Sequence, residues 1–115
     1  MKYIKTYENL TTDEPKIGDY VTCREEQLSS PNAKQIANFI NSNIAKIIDL
    51  EYDSGIITYL VQFNNIPEKL KNDITFDDGN RKVEGGRRLY RYEIVDYAPT
   101  IEELKMKKTL NKYNL

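Results

Sequence analysis

Two runs of alternating apolar residues, Ile44 to Asp53 and Ile56 to Phe63, flank the triplet Asp53-Ser54-Gly55. No other feature constrains the fold as strongly. Apolar residues at every second position mark a half-buried strand, and a short polar triplet ending in glycine marks a tight reversal. The chain is therefore committed to an antiparallel hairpin and to a sheet built around it. In the first strand Ile48, Leu50 and Tyr52 share one face, and Ile47, Asp49 and Glu51 the other. In the return strand Ile57, Tyr59, Val61 and Phe63 align. Ile48, Leu50, Tyr59 and Val61 are expected in or near the core. Pro67 closes the second strand, because proline has no N–H to give to a ladder.

Three zones surround and include this hairpin. Residues 1–16 form a leader in which Tyr3, Ile4, Tyr7 and Leu10 mark one short helical face. The leader reads as a segment docked on the domain, with a targeting or recognition peptide as the alternative. Pro15 makes Glu14 extended and separates the leader from the core. Residues 17–97 are that core. It opens with a strand at Tyr20-Val21-Thr22-Cys23 after the turn at Gly18-Asp19. Ser29-Ser30-Pro31 then starts a helix near 31–42, with Ile36, Phe39 and Ile40 on its buried face. After the hairpin, Ile74-Thr75-Phe76 is a short strand, and Asp77-Asp78-Gly79-Asn80 and Gly85-Gly86 are turns. A helical turn near Tyr92-Glu93 precedes a last strand of about three residues. Residues 98–115 hold a C-terminal helix near 100–113, packed on or beside the core. Thr100 and Glu103 have the spacing of a capping box, and Ile101, Leu104 and Tyr113 are expected to face inward.

Composition removes several kinds of chemistry. At 115 residues the chain is one domain's worth. It has no histidine, which excludes a Ser-His-Asp triad, a Cys-His pair and a histidine metal cluster. Its single cysteine, Cys23, makes neither an internal disulfide nor a cysteine zinc site and reads as a small buried residue. Net charge is −1, so a wholly basic nucleic-acid binder is excluded while a local patch is not. No apolar run approaches the ~20 residues that span a bilayer, and the N-terminus lacks the apolar stretch of a secretory signal. The expectation is a cytoplasmic protein with no membrane contact and no cofactor.

One basic run stands out. Arg81, Lys82, Arg87, Arg88 and Arg91 gather four of the chain's five arginines, with Tyr90 and Tyr92 interleaved and Glu84 the one acid among them. Guanidinium forks grip phosphates, tyrosine rings stack on bases, and Gly85-Gly86 would let the backbone come close to a ligand. The same run also reads as a solvated hairpin tip pairing with Asp77 and Asp78, or as a surface for an acidic protein. Asp49, Glu51 and Asp53 alternate along one strand face, which is the pattern of an outward polar face rather than of a cation site.

The order of strand, inserted helix, long hairpin, short strand, helical turn and last strand resembles a small SH3-like β-barrel. The residues that carry the resemblance are Ile17-Gly18-Asp19-Tyr20-Val21, Ile44-Ala45-Lys46-Ile47-Ile48, Tyr59-Leu60-Val61-Gln62-Phe63 and Arg91-Tyr92-Glu93-Ile94. They are also similar to the barrels of ribosome- and transcription-factor-type domains. The resemblance implies a mainly β fold of α+β type, and it implies no particular function, because this barrel hosts many. The leader Met-Lys-Tyr-Ile-Lys-Thr-Tyr-Glu resembles the N-terminus of many small tailed-phage proteins, and loosely the capsid-targeting leaders of T-even phage internal head proteins. The excess of Ile, Lys, Asn and Tyr, with Lys over Arg by 12 to 5, fits the AT-rich genes of such phages.

The functional expectation is a non-enzymatic binding module of phage origin, acting in the host cytoplasm or the virion on a protein partner, either a host factor or a virion component. Tyr52, Tyr59 and Tyr92 are its interface candidates, with Tyr90 beside them. The alternative is nucleic-acid or anionic-partner binding through Arg81, Lys82, Arg87, Arg88, Tyr90 and Arg91. A small histidine-free enzyme using carboxylates and arginine is the third.

Overall fold

The structure, a computed structural model, describes residues 14–25 and 31–113, the side chains of residues 108 and 110–113 excepted. The leader stripe Tyr3, Ile4, Tyr7 and Leu10, the cap at Ser29-Ser30 and the side chain of Tyr113 lie outside the described residues.

The element order is β1 (Tyr20–Cys23), α1 (Pro31–Ser42), β2 (Ile44–Asp53), β3 (Ile56–Phe63), a 3-10 turn (Glu68–Leu70), β4 (Thr75–Asp77), β5 (Lys82–Glu84), β6 (Gly86–Tyr90), a second 3-10 turn (Arg91–Glu93), β7 (Ile94–Ala98) and α2 (Ile101–Tyr113). Five strands form one antiparallel sheet in the order β6-β3-β2-β1-β7, and β4 pairs with β5 in a separate two-stranded sheet. The molecule is mainly β, as expected. The sheet does not close into a barrel: β6 and β7 sit at opposite edges and share no ladder.

The hairpin forms where the alternation places it. Asp53 pairs with Ile56, and the two loop residues Ser54 and Gly55 have φ of 54° and 85°. Two consecutive positive φ values make the turn whose twist matches that of paired strands. The facing of β2 differs from the alternation. Ile47 pairs with Val61 and Asp49 with Leu60, so Ile48 is an extra residue with no partner of its own in the ladder. This bulge shifts the phase by one residue. Ala45 and Ile47 face the core, 1% and 0% exposed, while Ile48 is half-buried and Leu50 is 38% exposed. Of the four expected core residues, Tyr59 and Val61 are buried and Ile48 and Leu50 are not.

The core is one cluster that includes Val21, Cys23, Ile40, Ile47, Tyr59, Val61, Phe63, Leu70, Ile74, Leu89 and Ile94. Phe39 on α1 meets Phe63 on β3 edge to face at 5.6 Å, which seals the sheet against that helix. Helix α2 packs on β7 and β1 through fully buried Leu104. Its first turn is capped, because the Glu103 N–H donates to Thr100 Oγ1 at 3.1 Å. Ile101 stays 36% exposed, contrary to the inward facing expected of it.

Strand β1 pairs with β2 at residues 44–46, and β6 pairs with β3 at residues 58–62. Beyond those points β2 and β3 continue alone as a two-stranded ribbon that ends at the Ser54-Gly55 turn. Directly opposed residues of an antiparallel ladder share a face. The pairs Leu50–Tyr59 and Tyr52–Ile57 therefore lie on the core side of the β2–β3 hairpin, and Glu51–Thr58 and Asp53–Ile56 on the outer side.

Candidate functional site

The ladder brings acids to the arginine run. Asp49 is opposite Leu60, which is opposite Arg88, so these three form one row across the outer face of β2, β3 and β6. Glu51, Thr58 and Tyr90 form the next row. The Arg88 guanidinium reaches Glu51 and lies 5.0 Å from the centre of the Phe76 ring. Arg81, between β4 and β5, reaches back to Asp49 with Nη2 3.0 Å from Oδ2. Together they wall a cleft of about 300 Å³ over Leu60 and Phe76, in which each guanidinium faces a carboxylate.

The other two arginines are also engaged. Arg87 alternates onto the core side of β6 and meets Glu25 in a two-pronged ion pair, Nε to Oε2 at 2.8 Å and Nη2 to Oε1 at 2.6 Å. Glu25 is held from behind by Asn41 of α1, whose Oδ1 accepts the Glu25 N–H at 2.7 Å. Arg91 donates from Nε to Glu14 at 3.1 Å and covers the Tyr97 ring at 5.2 Å. Lys82, exposed on β5, forms no ion pair among the described residues. The run is therefore matched by Glu14, Glu25, Asp49 and Glu51, and not by Asp77 and Asp78. Those two acids cap their own turn instead. Asp77 accepts the Gly79 N–H, and Asp78 accepts those of Asn80 and Arg81, which lowers its carboxyl below the usual range.

Gly85 and Gly86 let the chain approach itself closely. Gly85 has φ of +82°, its carbonyl accepts the Phe63 N–H at 2.8 Å, and a Cβ there would overlap the Phe63 carbonyl oxygen. A Cβ on Gly86 would stand 2.9 Å from the Phe76 Cβ.

The tyrosine candidates separate. Tyr59 is 3% exposed and belongs to the core, so it is no contact residue. Burial raises its hydroxyl pKa, and the Glu14 carboxylate adds to the rise. Tyr52 is 72% exposed on the core side of the ribbon. Tyr90 and Tyr92 come together: their rings are nearly parallel, 5° apart in tilt, with centroids at 5.6 Å. The 3-10 turn that carries Tyr92 is closed at its start, because Glu93 accepts the Tyr90 N–H at 2.8 Å. Tyr92 is 80% exposed and Tyr90 48%, so the stack stands in solvent. On the same outer face, two residues along β3 from the Thr58 that opposes Tyr90, Ile56 is 54% exposed.

Sequence reasoning missed the four carboxylates. The available signal was the alternation of Asp49 and Glu51 on one face of β2, two strands from β6. Glu14 and Glu25 carry no local signal, because only the folded chain brings them to Arg91 and Arg87.

Cys23 is 4% exposed, and burial, with Glu25 and Glu93 adding to it, pushes its thiol up to about 12. Such a thiol holds its proton at neutral pH and is a poor nucleophile. Among the described residues, no group of three or more acid or cysteine side chains is placed to hold a metal ion, and no helix is long and apolar enough to cross a membrane. No family model, curated protein or solved structure matches the chain.

Proposed function

We propose that the protein is a non-enzymatic binding module that engages a protein partner through the outer-face patch of Tyr90, Tyr92 and Ile56. The single observation that carries this reading is the Tyr90–Tyr92 stack, two large, nearly parallel rings exposed to solvent beside a turn closed by Glu93. Tyrosine gives large contact area for little lost conformational freedom, and it is enriched at interfaces. The arginines beside it favour a protein over a nucleic acid. Each already faces a carboxylate, so a phosphate would have to displace an acid at every arginine contact, leaving only exposed Lys82 without a paired acid among the described residues.

The same reading extends to architecture and source. The strand order β7-β1-β2-β3-β6, with a 3-10 turn joining β6 to β7, supports an SH3-like meander left open at its edges. In it α1 is inserted between the first two strands, and the β4–β5 hairpin between the third and the last two. The leader Met-Lys-Tyr-Ile-Lys supports a phage gene, with the partner a host factor or a virion component and the host cytoplasm as the site of action.

The test compares wild type with Tyr90→Ala/Tyr92→Ala as bait in host lysate, with Tyr52→Ala as control. A partner held by wild type and the control and lost by the double variant supports the patch. A wild-type bait that recovers nothing above background overturns the reading. In parallel, labelled single-stranded DNA, duplex DNA and RNA are titrated at about 50 and 200 mM salt. Binding that falls by orders of magnitude over that range would move the assignment to nucleic acid.

A further inference from the structure

We propose that the cleft over Leu60 and Phe76 receives a lysine side chain of the protein partner, with its ammonium held at Asp78. The inference rests on the reading that a protein covers the Tyr90–Tyr92 stack, and it names what that protein carries beside its contact with the rings.

The cleft borders the stack. Thr58 lines it and stands directly opposite Tyr90 in the β3–β6 ladder. Neighbouring strands are about 5 Å apart, so a chain lying on the rings has its next side chains within reach of the cleft.

The floor is apolar and the walls are charged. Leu60 is 5% exposed and Phe76 is half-buried. Around them stand three carboxylates, Asp49, Glu51 and Asp78, and two guanidiniums, Arg81 and Arg88. Arg81 takes Asp49, and Arg88 takes Glu51. Asp78 is left over, with no ion-pair partner among the described residues. Asp53, two residues beyond Glu51 on the same face of β2, adds to the negative surplus.

That surplus selects a cation. A carboxylate or phosphate would have to displace Asp49 or Glu51 from its arginine and would then stand against Asp78. The oxygens select an ammonium over a guanidinium. Asp78 Oδ1 already accepts the Asn80 and Arg81 N–H groups, each at 2.8 Å, which leaves Oδ2 for a ligand. A guanidinium fork matches both oxygens of a carboxylate, whereas an ammonium is a point charge that one oxygen can hold. The four-carbon stem of lysine supplies apolar length to lie on Leu60 and Phe76. At about 300 Å³ the cleft is at the small end for a ligand site and suits one side chain.

The experiment titrates three blocked tripeptides into the full chain at about 50 mM salt, where surface charge is little screened. One has lysine between two leucines, and the others have norleucine or glutamate in its place. Amide signals of Thr58, Leu60 and Phe76 are the readout. The lysine peptide is expected to bind at least about threefold more tightly than the norleucine peptide, as one exposed ion pair allows. In Asp78→Asn, which keeps an oxygen to cap the turn, that advantage is expected to vanish, with amide positions elsewhere reporting an intact fold. Equal affinities in wild type, a preference for glutamate, or an advantage that survives Asp78→Asn each overturn the proposal. Capture from lysate separates it from the reading of the stack. A partner lost with Tyr90→Ala/Tyr92→Ala but held undiminished by Asp78→Asn leaves the stack standing and overturns the cleft.

Discussion

Arg87 and Glu25 are 62 positions apart in sequence and meet as a two-pronged ion pair, guanidinium edge to carboxylate edge. Their side chains are 29% and 17% exposed, against more than 40% for both partners of the Arg81–Asp49 pair. The pair ties β6 to the segment leaving β1, and Asn41 ties that segment to α1.

Breaking a fully buried pair costs about 3–5 kcal/mol, chiefly by leaving one charge uncompensated. With partial exposure, Arg87→Met or Glu25→Gln is expected to cost about 2 kcal/mol in urea unfolding. The double replacement Glu25→Met/Arg87→Met should cost less than the sum of its singles by more than about 1 kcal/mol. Arg81→Met, at an exposed pair, should change stability by less than about 1 kcal/mol. Equal costs for Arg81 and Arg87 would refute this ranking.

The bulge at Ile48 makes a second prediction. Ile47 is fully buried and Leu50 is not. Ile47→Ala is expected to cost about 3 kcal/mol through lost burial and a cavity. Leu50→Ala should cost under about 1 kcal/mol, because its methyls already meet solvent. Matching losses in thermal or urea unfolding would mean that β2 has no phase shift.

Gly85 and Gly55 both have positive φ, near +82° and +85°. Space separates them: a Cβ on Gly55 would meet nothing within 4 Å, whereas one on Gly85 would overlap the Phe63 carbonyl. Gly55→Ala should cost about 1 kcal/mol, the left-handed penalty alone. Gly85→Ala should cost at least about 2 kcal/mol more, since the backbone of β3 must move. Side-by-side urea midpoints decide it.

Cys23 gives a pH prediction. Its folded-state pKa is raised from 9.0 to about 12, so the folded protein keeps a proton that the unfolded chain loses above about pH 9. The thiol's contribution to stability is fully present below pH 9 and is lost as pH rises toward 12. The slope is at most about 1.4 kcal/mol per pH unit. Stability against pH from 8 to 11 should fall more steeply in wild type than in Cys23→Ala. A thiol reagent should react with Cys23 slowly in the native protein and rapidly in urea.

Local patterns announced most of the elements. The hairpin, α1, the capped α2 and the 3-10 turn before β7 all rest on residues close in sequence: Asp53-Ser54-Gly55, Pro31 with Ile40, Thr100 with Glu103, and Tyr92-Glu93. The departures come from long-range geometry. One unpaired residue, Ile48, exchanges the roles of Ile47 and Leu50, and alternation alone cannot reveal where a ladder slips. Closure of the sheet depends on β6 and β7 meeting, which no local pattern encodes. The arginine run was legible as a cluster but not as a neutralised one, since Glu14 and Glu25 reach it only through the fold. Tyr59 looked like its neighbours Tyr52 and Tyr90, and it differs from them only in standing where β3 crosses the core.

The ion pairs also make polyanion affinity a reporter of folding. Glu25 reaches Arg87 across 62 positions and Glu14 reaches Arg91 across 77, so neither match exists in an extended chain. Unfolding releases Arg81, Lys82, Arg87, Arg88 and Arg91 as a cationic tract in which Glu84 is the one acid. The native protein should pass through a heparin column that retains its denatured form. A destabilised variant that binds RNA in a crude assay would be displaying its unfolded fraction, not a gained activity.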